Sequence, residues 1–269
     1  MQLQPEDIGL LSTEEFATLF GRTIAGLSGD FKFSYSQEPS TGIRMSGIAK
    51  CARQSYYDKV SPSTEGGASS WQSIMGYAGQ EIVAATLIEM GYDLFNQEQE
   101  VYYAGIKGHT DGQLRGLDLD GRTAVWDCKL RNSFALKDLI MRGLPAASPE
   151  MYAQQQAYLA ATGADLCIIT VHPFDLTDAR SRLKQYKIPN DPMVNRVILE
   201  PDPDAFEWIE ERVDMLEIAV ETDMLPAREY DPERGSFPCG KYCPHSERCL
   251  MDGDDKSFVV SPVPWKEER

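Results

Sequence analysis

Two short stretches hold the residue types that metal chemistry needs. In "VWDCK" (125–129) an aspartate and a lysine alternate with apolar neighbours. Successive side chains of a strand point to opposite faces. A strand here therefore puts Asp127 and Lys129 on one face and Trp126, Cys128 and Leu130 on the other. A carboxylate oxygen suits Mg²⁺ or Mn²⁺. A lysine beside it can position a water or neutralise charge that builds on a phosphate. Upstream, "GHTDG" offers Asp111 as a second carboxylate. Near the end, "SFPCGKYCPHSERC" holds Cys239, Cys243 and Cys249, three of the six cysteines. Where thiols stay reduced, such a run reads as a ligand set and not as disulfides. Three thiolates leave a tetrahedral ion one ligand short, and His245 in the same run would complete a zinc set.

Asp111 joins Asp127 and Lys129 only if the strand pairing allows it. Asp120-Gly121 is a hairpin signal between the two strand-like runs of residues 107–131. A two-residue turn there pairs Leu119 with Arg122 and puts Asp111 on the face of Leu130. A three-residue loop, Leu119–Gly121, puts Asp111 opposite Lys129 and Gln113 opposite Asp127, with Gly121 in the left-handed position. A metal site thus requires the odd-length loop or an equivalent bulge.

The elements around these residues follow from periodicity and punctuation. Trp71–Met90 reads as a helix, with Ile74, Ala78, Ile82 and Ala85 at helical spacing and Gly91 as its stop. Residues 92–106 read as extended. Glu150–Thr162 reads as a helix ended by Gly163, and places Gln154 and Tyr158 on one face. "ADLCIITVH" (164–172) reads as a buried strand containing Cys167, a small buried hydrophobe. "VNRVILE" (194–200) reads as another strand. Asp204 to about Leu225 reads as an amphipathic helix closed by Pro226. This order predicts one α/β or α+β domain, 1–269, with a helical N-terminal part (1–70), a core (71–200) and an acidic, cysteine-rich C-terminal part (201–269).

Composition is that of a globular protein, 42% hydrophobic and 25% charged. The start of the chain lacks a basic region followed by an apolar run, and no apolar run is long enough to span a bilayer, so a cytoplasmic location is expected. The net charge of −16 argues against general nucleic-acid affinity. The charge is uneven: residues 201–236 hold 12 acidic and 3 basic residues, net −9, whereas residues 40–200 hold 18 and 16, net −2. The middle has basic clusters at Arg44/Lys50/Arg53/Lys59, Lys129/Arg131/Lys137/Arg142 and Arg180/Arg182/Lys184/Lys187, where a polyanion can bind away from the acidic segment.

Further motifs fall in a telling order. "GYAGQE" supplies Gly76, Gln80 and Glu81; then come "GHTDG", "DCK" and "QQQAY"; and "KCARQSYYDK" lies upstream. The succession G-x-x-x-(H)-E, G-H-x-D-G, D/E-x-K, Q-x-x-x-Y over about residues 43–250 resembles the RecB-like branch of the PD-(D/E)xK nucleases. The upstream segment is similar to that family's C-P-R-x-x-Y-Y. Gln80 stands where histidine is usual, Asp127 where glutamate is commoner, Ala52 where proline is usual, and the C-terminal spacing is C-x3-C-x5-C in place of C-x2-C-x5-C.

The resemblance implies a restriction-endonuclease-like α/β core, a central mixed sheet flanked by helices, with an iron–sulfur-stapled helical subregion joining the two ends. It implies a Mg/Mn-dependent deoxyribonuclease, most of all an exonuclease on single-stranded DNA or DNA ends, in phage recombination, repair or CRISPR adaptation, with proteins of those pathways as possible partners. A catalytically weak nuclease fold that binds DNA or a protein is the alternative. Asp111 and Asp127 would hold Mg²⁺ or Mn²⁺, with the Cys128 carbonyl as a third ligand and Glu81 or Gln80 at the outer edge. Lys129 would assist the attacking water, and Gln154 and Tyr158 would brace the site. Cys51 would join Cys239, Cys243 and Cys249 around a 4Fe–4S cluster. Arg53, Tyr56 and Tyr57 would contact DNA.

Overall fold

The computed structural model describes residues 42–61, 71–116, 119–173, 195–230, 239, 243–253 and 258–265. A 3₁₀ turn (Met45–Gly47) precedes α1 (Ala52–Val60) and α2 (Trp71–Glu89). Strands β1 (Asp93–Phe95), β2 (Gln99–Tyr103), β3 (Ile106–Thr110), β4 (Gly112–Arg115) and β5 (Ala124–Arg131) follow. Then come α3 (Ser133–Arg142), α4 (Leu144–Ala147), α5 (Pro149–Thr162), β6 (Leu166–Pro173), β7 (Asn195–Leu199), α6 (Pro203–Glu221) and α7 (Ser246–Met251). The expected α/β class holds: a five-stranded mixed sheet in the order β1-β4-β5-β6-β7 has helices on both faces, and β2-β3 form a separate ribbon. Only β5 and β6 run parallel, joined through α3, α4 and α5 as a crossover requires. The Arg180/Arg182/Lys184/Lys187 cluster lies outside the described residues.

Strand β5 divides its side chains as its sequence demands. Trp126 and Cys128 pack against Val83, Ala84 and Leu87 of α2 on one face. Val125 enters the larger core with α3, α5 and α6 on the other, the face that Asp127 and Lys129 share. Local signals set the helix ends. Asn132 caps α3 by accepting the Ala135 N–H at 2.8 Å, and Asp202 caps α6 by accepting the Asp204 and Ala205 N–H groups. Gly163, in the left-handed conformation, stops α5. Helix α6 ends at Glu221, short of the predicted Leu225, and the chain turns at Asp223 with φ 52°.

The stretch read as one strand from residue 107 is two. At Asp111 the chain leaves the ribbon and enters the main sheet. The expected register is also corrected. The turn is the two-residue kind: Asp120 and Gly121 both have positive φ (51° and 78°) and Arg122 N–H reaches Leu119 O at 2.8 Å. Yet the ladder pairs Leu114 with Ala124, Gln113 with Val125 and Gly112 with Trp126. Five residue steps lead from Leu114 to Leu119, against two from Arg122 to Ala124. The excess is odd and is absorbed where Leu119 N–H bonds Gly116 O at 3.1 Å. An equivalent bulge thus restores the parity that the site requires, and the same register carried one residue on sets Asp111 opposite Asp127, not Lys129.

A buried arginine ties the chain ends together. Arg212 of α6 is fully buried and donates to Ile48 O (2.7 Å), Lys50 O (2.7 Å), Ser261 O (2.5 Å) and Glu229 Oε1 (2.8 Å). The same Glu229 oxygen accepts the Ala52 N–H at 2.9 Å. The peptide groups on either side of Cys51 are therefore fixed. Removing one member of a buried charged pair strands the other. Arg212→Met is expected to lower stability by about 3–5 kcal/mol in urea unfolding.

Candidate active site

Asp127 sits mid-strand, 1% exposed, with Lys129 Nζ 2.7 Å from each of its oxygens. Oδ1 receives a well-directed hydrogen bond; Oδ2 is buried with none. Asp111 comes alongside because β4 stops pairing at Gly112. Past that point the Cys128 N–H donates at 2.7 Å to the Asp111 side chain, at Oδ2, and not to a strand neighbour. A residue of an antiparallel ladder turns its N–H and C=O to the same side, so the Cys128 carbonyl also faces the side that β4 vacates. The structure brings Asp111, Asp127, Lys129 and the Cys128 backbone into one group, as the sequence predicted.

The electrostatics follow from that crowding. Burial, then the neighbouring Asp127 carboxylate, pushes the Asp111 carboxyl up to about 7. Burial pulls the Lys129 ammonium down, but the two carboxylates outweigh it and hold its pKa above the ordinary lysine value. Tyr158 lies close enough for Asp127, Lys129 and Asp111 to act on it; burial, then Asp127, raises its phenol. Gln154 Nε2 donates to the Tyr158 hydroxyl at 2.8 Å, the predicted bracing pair on α5. Gly108 makes room for it: a Cβ there would stand 2.6 Å from Tyr158 Cε1 and 2.7 Å from Met45 Sδ.

On α2, Gln80 Nε2 donates to Glu98 Oε1 at 2.5 Å, whereas Glu81 is exposed. Glu98, not anticipated from sequence, adds negative charge that Asp111 feels. It sits in the β1–β2 turn with φ 52°, a position no motif marks. His109, two residues before Asp111, does not share its face: the strand breaks between them, and His109 stands exposed 3.5 Å from Glu100 across the ribbon.

The cysteines gather elsewhere. Cys51, Cys239, Cys243 and Cys249 line one pocket with Arg53, Tyr57 and Arg228. No disulfide joins them. Burial, then the other three cysteines, raises Cys239 to about 11, and burial raises Cys51 and Cys243. His245 does not line the pocket; its Nε2 lies 2.7 Å from Asp58 Oδ1. Cys167 is fully buried, its thiol 3.3 Å from Gln155 Oε1, as expected of a core cysteine.

The predicted DNA contacts of Arg53, Tyr56 and Tyr57 are corrected. All three are buried. Arg53 donates to Pro226 O (2.7 Å) and Gly253 O (2.8 Å) and lies 3.7 Å from Cys249 Sγ. The Tyr56 and Tyr57 hydroxyls donate to Asp223 and Asp252 at 2.7 and 2.8 Å. Arg53 and Tyr57 line the cysteine pocket, and all three side chains are turned into the protein and not toward a strand of DNA.

No family model matches the chain, and no curated protein does. Solved structures do. A phage-related exonuclease from Haemophilus somnus 129PT is 14% identical with TM-score 0.49, over 69% of this chain and 95% of that one. An alkaline exonuclease from Laribacter hongkongensis is 17% identical with TM-score 0.48, over 68% and 89%. The latter in complex with dAMP aligns over 81% and 85% at TM-score 0.41 and 16% identity. At such identities and scores the chemistry must be read from this chain's own residues. Among the described residues no helix is long and apolar enough to cross a membrane.

The raised Asp111 pKa has a testable sign. Between the ordinary 3.8 and about 7 the folded chain holds a proton that the unfolded chain releases, so stability falls as pH rises through that window. In EDTA, the unfolding midpoint of the wild type is expected to drop from pH 4 to 7 relative to Asp111→Asn. Thermal or urea melts of the two proteins across that range check it.

Proposed function

We propose that this chain is a metal-dependent DNA nuclease that hydrolyses phosphodiester bonds, acting as an exonuclease on single-stranded DNA or DNA ends. The observation that carries the reading is the convergence of two carboxylates, the half-buried Asp111 and the buried Asp127, with Lys129 and a strand carbonyl. The donor types suit a hard divalent cation: Asp127 Oδ2 is buried without a hydrogen bond, and burial, then the Asp127 carboxylate, raises Asp111. Asp111, Asp127 and the Cys128 carbonyl would hold Mg²⁺ or Mn²⁺. When bound, such an ion supplies Lewis acidity toward the phosphate and a lowered pKa for an attacking water. Lys129, already charged and aimed at Asp127, would orient that water and offset charge developing on the phosphoryl oxygens. Tyr158, fixed by Gln154, would keep the Lys129 side of the site in place.

The four cysteines that line one pocket support reading Cys51, Cys239, Cys243 and Cys249 as ligands of a 4Fe–4S cluster, which would have a structural role. Cys51 supplies the fourth thiol, while His245 is engaged with Asp58, which favours this set over zinc with three cysteines and His245. The cluster would staple α1 to the C-terminal segment. The pathway served would be phage recombination, repair or CRISPR adaptation, and the location cytoplasmic. The Gln80–Glu98 hydrogen bond favours one second reading, a weak or inactive nuclease fold that binds DNA or a protein: an amide engaged with Glu98 stands where the resemblance has a histidine.

Protein purified without air and assayed on end-labelled DNA decides between them. Cleavage is expected with Mn²⁺ or Mg²⁺ and not in EDTA, reduced about a hundredfold or more in Asp127→Ala and Lys129→Ala. DNA binding without cleavage in any of the three proteins would establish the second reading. The same preparation is expected to absorb near about 400 nm with stoichiometric iron, and Cys51→Ser to lose that band. Colourless protein containing zinc would remove the cluster.

A further inference from the structure

With Arg53, Tyr56 and Tyr57 buried, the residues that would grip a DNA strand must be sought on the surface near Asp111. The β2-β3 ribbon leads directly into that residue. Its inner face, Val101, Ile106 and Gly108, packs on the core. Its outer face carries two cross-strand pairs, Glu100 with His109 and Tyr102 with Lys107. Paired residues share a face. Arg44 pairs with Lys107 from the other edge of β3, and its positive charge reaches Lys107. A row of Tyr102, Lys107 and Arg44 therefore crosses the ribbon, with Glu100 and His109 between it and the carboxylates.

Tyr102 is 61% exposed, on a strand, with its hydroxyl held by Glu100 at 2.5 Å. A large aromatic ring fixed in this way at the surface loses little entropy on stacking and can stack on any unpaired base. Lys107 lies beside it, 2.8 Å from the same Glu100. At about 3.3 Å per residue the row stands about 13 Å from Asp111 along the chain, within a few nucleotides. Beyond the ribbon tip the acidic helix closes the path: Glu210 accepts the Tyr103 hydroxyl at 2.6 Å, and Glu217 lies 3.9 Å from the Cβ position of Gly105.

We infer that the outer face of the β2-β3 ribbon binds the single strand leading into the site, with a base stacked on Tyr102 and phosphates on Lys107 and Arg44. Glu100 is the internal anion that holds Tyr102 and Lys107 until a phosphate replaces it. The assignment rests on the nuclease reading of Asp111 and Asp127, and names the strand contacts of that site.

The test uses the full chain with Mn²⁺ and a short single-stranded oligonucleotide, reading KM and kcat separately. Tyr102→Ala is expected to raise KM about tenfold, with the loss on KM and not on kcat, while Tyr102→Phe, which keeps the ring, restores it. Lys107→Ala is expected to raise KM and reduce the salt slope by about one. Glu100→Gln, freeing a cation, is expected to lower KM. Wild-type KM in both Tyr102→Ala and Lys107→Ala, in proteins that still cleave, overturns the ribbon assignment and leaves the nuclease reading standing. A loss seen on duplex but not on single-stranded substrate overturns it as well. A wild type that cleaves with neither cation overturns the site reading and this inference together.

Discussion

The hydrogen bond from the Cys128 N–H to Asp111 Oδ2 organises the site. In an uninterrupted ladder that N–H would meet a backbone carbonyl of the neighbouring strand. Here a side chain takes the bond at 2.7 Å, and the strand that supplies it has already left for the ribbon. Substituting a carboxylate for a carbonyl satisfies the strand edge and brings Asp111 beside Asp127. It also sets two acids side by side, and burial, then Asp127, raises the Asp111 carboxyl. Two glycines make the detour possible. Gly112 lets the chain pass Leu94, whose Cδ1 would be 2.7 Å from a Cβ, and Gly108 lets Met45 and Tyr158 close over the ribbon.

A second constraint fixes the cysteine pocket independently of the sheet. Arg212 grips Lys50 O and Glu229 grips the Ala52 N–H, so the Cys51 thiol is placed by its neighbours before any metal is considered. Arg53, two residues further, bonds to backbone at Pro226 and Gly253 and lies against Cys249. Two buried guanidiniums thus link α1 to three C-terminal segments. Such buried charges are tolerated because nearly every donor meets an oxygen. A metal clasp at the pocket would reinforce an attachment that hydrogen bonds already define.

The sequence announced what depends on alternation and lost what depends on departures from it. Strand β5 was legible because Trp126 and Cys128 against Asp127 and Lys129 obey a period of two, and α2 and α5 because their apolar spacing ends at Gly91 and Gly163. The requirement that Asp111 share a face with Asp127 was also legible, and it held. The route was not: the odd residue is absorbed where the Leu119 N–H bonds Gly116 O, and the hairpin signal at Asp120-Gly121 does not mark that place. Helix α3 escaped notice because its stretch is short and its Phe134 and Met141 face solvent, which blurs the apolar stripe. Arg53, Tyr56 and Tyr57 were misplaced because the types that stack on bases and bind phosphates also brace a buried pocket. Composition alone cannot separate the two uses. Glu98 had no motif at all; only the turn before β2 brings it near Asp111.

On the proposed nuclease reading, the charges of the site bear on how a chain of net charge −16 would accept a polyanion. The formal charges of Asp111, Asp127 and Lys129 sum to −1, and a divalent cation held there, as proposed, would change the sum to +1. The acidity that would oppose DNA is kept apart, on the outer face of α6, where Glu210 and Glu217 stand beyond the ribbon tip. Because screening confines surface charges to about 8–10 Å at ordinary salt, that acidity shapes the path of a strand more than its affinity. On the proposed nuclease reading, a bound cation would give this part of an acidic chain a local positive sum beside which a phosphate could sit.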